Sequence, residues 1–149
     1  MPTIERSTLV DAAPDVVWAV IADPTRAGEW MPDVKARRPL QAGPLAVGAR
    51  WSEAGLLRGR SYEAIYEVTA WEPPARLAYR RADAESRRFA WEESVHIEPA
   101  GAGSRVTLAL HYALPRGIIG RLYDRLLFRR DFAATLDNRL DALKSLLQP

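Results

Sequence analysis

The C-terminal third of the chain constrains the fold more than any other stretch. Leu122, Leu126, Phe132, Leu136, Leu140, Leu143 and Leu147 recur three, four or six residues apart, which lines them along one stripe of an α-helix. Arg121, Asp124, Arg125, Asp131, Asp137, Arg139, Asp141 and Lys144 stand between them and read as its charged outer face. A continuous helix from Gly117 to Leu147 would extend on the order of 45 Å at 1.5 Å per residue, longer than a small domain is wide. It therefore needs a large apolar partner along most of its length. The preceding residues read mainly as strands, so the expected partner is a curved sheet wrapped around the helix. Gly117 and Gly120 loosen the first turns, because glycine costs about 1 kcal/mol against alanine inside a helix. Arg129 falls where the stripe asks for an apolar residue. It is read either as part of a frayed start reaching solvent beside Arg130 on its apolar stem, or as lying over a cavity mouth.

The rest of the chain supplies that sheet. Ile4 to Val10 reads as a strand. Pro14 and Asp15 open a short apolar helix through Val16, Val17, Trp18, Val20 and Ile21, although Ala13 is a poor capping residue. Asp23-Pro24 ends it and starts a second short helix running to Glu29 or Trp30, with Asp23 as cap. Strands are then expected at Val34 to Leu40, Val47 to Glu53, Gly59 to Trp71, Arg76 to Arg81, Phe89 to Glu98 and Arg105 to Tyr112. Gly43-Pro44, Pro73-Pro74, Asp83 to Ser86 and Pro99 to Gly103 provide the turns. Consecutive strands with short turns imply an antiparallel meander, hence an α+β arrangement in one domain over residues 1–149.

Strand alternation selects the face turned to the helix. Tyr62, Ala64, Tyr66, Val68 and Ala70 share one side of their strand. Phe89, Trp91, Val95 and Ile97 do so on another, and Val106, Leu108, Leu110 and Tyr112 on the last, with Leu77, Tyr79 and Trp51 added. So many Trp and Tyr side chains, with small alanines between them, suit a concave wall around an organic ligand as well as they suit a packed core.

Composition narrows the function. At 149 residues, nearly half of them hydrophobic, the chain has length enough for one core and is not a disordered protein. It contains no cysteine, which removes disulfides, a thiolate nucleophile and Cys-based zinc sites. The start, MPTIERSTLV, lacks the basic and long apolar segments of a secretion signal, and no uncharged apolar run approaches 18 residues. A cytoplasmic protein without a transmembrane segment is expected. The 21 basic residues nearly balance the 19 acidic ones. Arginine pairs such as Arg37-Arg38 and Arg80-Arg81 place one member on each strand face, which argues against a nucleic-acid surface. Two histidines without cysteine cannot build a His-rich metal site, and His96 and His111 fall on the faces opposite the apolar set. No cofactor is expected.

Four stretches carry a resemblance to the START-like helix-grip superfamily, in its polyketide cyclase/dehydrase-type branch. STLVDAAPDVVWAVIADPTRAGEWMPDV resembles the family's first strand and paired short helices. YEVTAWEPPARLAYR resembles its strand–Pro turn–strand hairpin, GAGSRVTLALHY its last strand, and GIIGRLYDRLLFRRDFAATLDNRLDALKSLL its terminal helix. The resemblance implies a seven-stranded antiparallel sheet gripping the long C-terminal helix, two short helices after the first strand, and a hydrophobic cavity between sheet and helix. Its members range from enzymes to carriers.

Glu93 is the candidate acid or base: a carboxylate on the same strand face as Trp91, Val95 and Ile97, where burial would raise its pKa. The competing reading is that a bulge turns it outward, or that Arg81 or Arg60 pairs with it. The first functional expectation is binding of a hydrophobic or aromatic small molecule, such as a lipid, polyketide or isoprenoid. Trp51, Tyr62, Tyr66, Tyr79, Trp91, Tyr112, Phe132 and Leu136 would form the walls, Arg60, Arg81 and Glu93 polar anchors, and Arg129 a residue at the mouth. The alternatives are a cyclase or dehydratase using Glu93 in the same cavity, and a protein-interaction module with an exposed apolar patch. A monomer or a homodimer fits either.

Overall fold

A computed structural model describes residues 3–57, 59–83, 90–113 and 127–148. The elements run β1 (Thr3–Val10), α1 (Pro14–Ile21), a 3-10 turn (Pro24–Arg26) leading into α2 (Ala27–Trp30), then β2 (Val34–Pro39), β3 (Arg50–Leu57), β4 (Arg60–Glu72), β5 (Arg76–Arg81), β6 (Ala90–Ala100), β7 (Gly103–Ala113) and α3 (Arg129–Leu146). Phe89, most of the Asp83 to Ser86 hairpin, and the helix stretch with Gly117, Gly120, Leu122 and Leu126 lie outside the described residues.

The seven strands form one antiparallel sheet in the order β1-β7-β6-β5-β4-β3-β2. β2 through β7 are the expected meander. β1 returns to pair with β7, so the two strands flanking the short helices occupy opposite edges and the helical segment crosses between them. Register shifts at Val34/Ala36 and Val68/Ala70 mark irregularities on two strands. Such bulges bend a strand and strengthen its twist, which lets a sheet wrap around a helix.

The local chemistry of the short helices is as expected. Pro14 occupies the first turn of α1, and Ala13 offers no side-chain cap. Asp23 caps the next turn, its Oδ1 accepting from the Thr25 backbone N–H at 2.9 Å. β3 differs from expectation: it starts at Arg50 and continues past Glu53 to Leu57. Gly55 permits this, because a Cβ there would stand 2.4 Å from the Asp33 carbonyl oxygen and 2.9 Å from the Tyr62 hydroxyl. The Leu56 N–H donates to that same carbonyl at 2.8 Å, fastening the α2–β2 turn onto β3.

The core lies between the inner sheet face and α3, which packs on β1, β7 and α2. Tyr66, Val68, Leu77, Tyr79, Trp91, Val95, Ile97, Val106, Leu108, Leu110 and Tyr112 are buried from the sheet, and Phe132, Leu136, Leu140 and Leu143 from α3. Arg139 corrects the sequence reading: it is buried, not part of the outer charged face. It lies three residues after Leu136 and four before Leu143, and so belongs to the stripe itself. No described helix is long and apolar enough to cross a membrane.

Candidate functional site

The inner face carries a chain of buried charges amid aromatic rings. β2 contributes Arg37, β3 Glu53, β6 Glu93, α3 Arg139, and the α2–β2 turn Asp33. Arg139 joins the two ends of the fold: its Nε and Nη2 donate to Asp33 Oδ1 and Oδ2 at 2.8 and 2.5 Å, and its Nη1 donates to Glu93 Oε1 at 2.5 Å. Glu93 also accepts from Trp91 Nε1 at 3.0 Å and from the Tyr79 hydroxyl at 3.3 Å. The Tyr79 oxygen in turn accepts from Arg37 Nη2 at 2.8 Å, while Arg37 Nε donates to Glu53 Oε1 at 2.6 Å. The Tyr62 hydroxyl closes the chain on Glu53 Oε2 at 2.7 Å.

Each link follows from strand position. Arg37 pairs with Glu53 across β2 and β3, Glu53 with Ala64 across β3 and β4, and Tyr79 with Glu93 across β5 and β6. Ala64 is the small member of that row. The Arg37 guanidinium carbon lies 4.9 Å from the centres of both the Trp51 and Tyr79 rings, a cation–π arrangement in a desolvated setting. Among the described residues the buried Trp51 indole N–H has no partner, so the ring serves Arg37 as a face rather than as a donor.

Electrostatics keeps this cluster charged. Burial works against the positive charge of Arg37, but Tyr79, Glu53 and Glu93 together outweigh it and hold the guanidinium above its ordinary range. Arg139 is held up in the same way by Glu93 and Asp33 against the cost of burial. The phenols of Tyr62, Tyr66 and Tyr79 are all raised above the usual tyrosine value, first by burial; Glu53 adds to this for Tyr62 and Tyr66, and Glu93 for Tyr79. They are neutral hydrogen-bonding groups at neutral pH.

Above the cluster a cavity of about 50 Å³ opens between β4, β6 and α3. Leu57, Tyr62, Tyr66, Trp91 and Phe132 form its apolar and aromatic lining. Asp33, Arg81, Glu93 and Arg139 supply charge. Trp91 and Phe132 meet edge to face at 4.7 Å, and Phe128 packs on Phe132 at 4.2 Å and on Tyr112 at 5.0 Å. A larger, open groove of about 520 Å³ lies on the opposite face around Arg38, Ser52, Glu63, Ile65 and Asp83. Among the described residues, no aromatic side chain lines it.

Of the residues singled out in the sequence, Tyr62, Tyr66, Arg81, Trp91, Glu93 and Phe132 meet at the cavity. Trp51 and Tyr79 lie in the layer around Arg37, and Tyr112 and Leu136 are buried in the core. Arg60 is exposed at the start of β4. Arg129 is exposed and donates from Nη2 to the Thr3 carbonyl at 3.0 Å, tying α3 to β1 rather than lining the cavity. Glu93 faces inward, and its cation is Arg139, not Arg81 or Arg60; Arg81 donates to both oxygens of Asp83 at 3.0 Å. His111 is half-buried, its Nδ1 2.9 Å from Thr3 Oγ1 on the neighbouring edge strand.

Asp33, Arg37, Glu53 and Arg139 were not anticipated. Two of them had a signal. Glu53 is two residues from Trp51 on the same strand face, and Arg139 sits on the helix stripe. Arg37 is turned inward by the bulge in β2, and Asp33 comes from a turn without periodicity.

A sheet gripping a C-terminal helix over a small cavity defines a helix-grip protein. The family described as polyketide cyclase / dehydrase and lipid transport matches residues 1–148, and the chain belongs to it. No curated protein matches. Among solved structures, ginseng major latex-like protein 151 from Panax ginseng superposes with a TM-score of 0.79 at 14% identity, covering 99% of this chain and 98% of that one. A START superfamily protein from Mycobacterium smegmatis gives 0.78 at 15% identity, with 97% and 96% covered. The di-domain ARO/CYC BexL from the BE-7585A biosynthetic pathway gives 0.75 at 19% identity; 97% of this chain aligns with 46% of that one. At these identities the likeness is one of fold. Family and fold fit binding of a hydrophobic ligand or a polyketide cyclase-like function.

Proposed function

We propose that the protein binds an aromatic or otherwise apolar small molecule of the lipid, polyketide or isoprenoid kind between the sheet and α3. The observation that carries this reading is the cavity lining. Tyr62, Tyr66, Trp91 and Phe132 present rings around a floor of fixed hydrogen-bonding groups, the mixture that small-molecule sites use for affinity and orientation. Membership of a family of polyketide cyclases, dehydrases and lipid-transport proteins, and the likeness to BexL, support the ligand class.

At about 50 Å³ the cavity has room for a water or two. Ligand pockets usually measure roughly 300–1,000 Å³. Binding therefore requires the walls to part, and the ring contacts of Phe132 with Trp91 and Phe128 are what a ligand would replace. Cyclase or dehydratase chemistry through Glu93 has less support. Its carboxylate already accepts from Arg139, Trp91 and Tyr79, which uses three of its roughly four acceptor positions and leaves little of it for a substrate.

Native mass spectrometry of freshly purified protein tests the binding reading. The expected result is an excess mass that disappears on denaturation, or a rise in unfolding temperature with members of a polyketide-like and lipid panel. An empty protein that no member of the panel stabilises refutes it.

A further inference from the structure

Tyr66 differs from the other two tyrosines of the cluster. The Tyr62 hydroxyl donates to Glu53 and the Tyr79 hydroxyl to Glu93. Tyr66 is 4% exposed and lines the cavity, yet among the described residues its hydroxyl has no hydrogen-bond partner. The ring cannot swing freely to find one. It meets Tyr79 edge-on at 5.4 Å and 88°, and Trp51 at 6.2 Å. A hydroxyl at a cavity wall that bonds no described protein group is left for whatever occupies the cavity, and a ligand oxygen there would take the hydrogen bond that a water otherwise accepts.

The charges around it limit what the ligand can be. Asp33, Glu53 and Glu93 outnumber Arg37 and Arg139, a formal excess of one carboxylate over the guanidiniums. Both guanidiniums are directed at carboxylates, and Arg81 is directed at Asp83. A ligand carboxylate or phosphate would enter against that excess with each of these arginines already engaged.

We propose that the Tyr66 hydroxyl is the hydrogen-bonding anchor for the ligand, and that the ligand is an aromatic molecule bearing a ketone or phenol oxygen and no anionic group. This rests on the binding reading above. It differs from that reading in excluding carboxylate-bearing ligands such as free fatty acids, and in assigning recognition to Tyr66 rather than Glu93.

Equilibrium dialysis against three probes of one aromatic frame tests it: 2-naphthol, naphthalene and 2-naphthoate. The wild type should bind 2-naphthol about five-fold more tightly than naphthalene, the worth of one net hydrogen bond. It should bind 2-naphthoate at least about ten-fold more weakly than 2-naphthol. Tyr66→Phe should lower 2-naphthol to the level of naphthalene and leave naphthalene unchanged. Its unfolding temperature should be equal to or higher than that of the wild type, because the hydroxyl bonds no other described residue. A Tyr66→Phe protein that keeps the 2-naphthol preference, or unfolds at a lower temperature, overturns the proposal. So does tighter binding of 2-naphthoate than of 2-naphthol. If the wild type binds none of the three, the cavity reading itself fails and this inference with it.

Discussion

Replacing Arg139 with methionine keeps much of the side chain's volume and removes its charge, leaving Asp33, Glu53 and Glu93 facing the single guanidinium of Arg37. The side chains of Arg139 and Glu93 are 7% and 6% exposed, while Asp33 retains 18%. Removing one partner of a buried ion pair typically costs 3–5 kcal/mol, because the other charge stays buried without compensation. Asp33 can recover part of its solvation, so the lower end of that range, about 3 kcal/mol, is the expected loss. For a chain of this length that lowers the unfolding temperature by roughly 6–12 °C. Guanidinium denaturation followed by tryptophan fluorescence measures it, with an unchanged m-value showing that the unfolded reference has not moved. The cause is tested by adding Glu93→Gln to the variant. That restores the charge balance of the cluster and should return at least about half of the lost stability, whereas Glu93→Gln alone should destabilise the wild type. A loss below about 1 kcal/mol in Arg139→Met, or no recovery in the double variant, refutes the argument that charge pairing inside the sheet governs this site.

The raised phenols predict alkaline unfolding. Folded-state values above the unfolded value of about 10 mean that the unfolded chain releases these protons first. The stability contributed by Tyr62, Tyr66 and Tyr79 is thus whole below about pH 10 and falls as pH rises beyond it. Absorbance at 295 nm and circular dichroism should show these three ionising only as structure is lost; smooth titration near pH 10 with the fold intact would contradict this. Gly55→Ala should cost about 1–3 kcal/mol, since the new methyl meets the Asp33 carbonyl backbone at 2.4 Å and neither strand nor turn can yield freely. Thermal unfolding reads it, and an alanine variant as stable as the wild type would show that the α2–β2 turn is not fastened as described.

The architecture was legible because it rests on repeated patterns. Alternation in β4, β6 and β7 placed Tyr62, Tyr66, Trp91, Val95, Leu108 and Leu110 on the inner face, and Asp23-Pro24 marked the second helical turn. Glu93 could be placed inward for the same reason. Its partner could not, because the cation comes from α3, and the height at which Arg139 meets β6 depends on how helix and sheet pack together. Two of the missed residues illustrate different limits. Arg139 was visible on the apolar stripe but was read by its charge, as an outer-face residue. Arg37 required knowing that a bulge changes the phase of β2 after Val34, and a six-residue strand gives alternation too little length to reveal that.

The buried charges make more sense as positioning than as glue. Ion pairs inside a protein contribute little net stability, and well-packed apolar residues of similar volume often do as well or better. The ring packing of Trp51, Tyr79, Trp91, Phe128 and Phe132 already provides the apolar burial that holds helix to sheet. What the charges add is direction. Glu53 fixes the Tyr62 hydroxyl, Glu93 fixes the Trp91 indole and the Tyr79 hydroxyl, and Arg139 fixes Glu93 against Asp33. Each of these polar atoms is thereby turned toward a protein partner. Tyr66 stands beside them at the cavity with its ring held, and among the described residues its hydroxyl has no partner. A core built only for stability would have phenylalanine there.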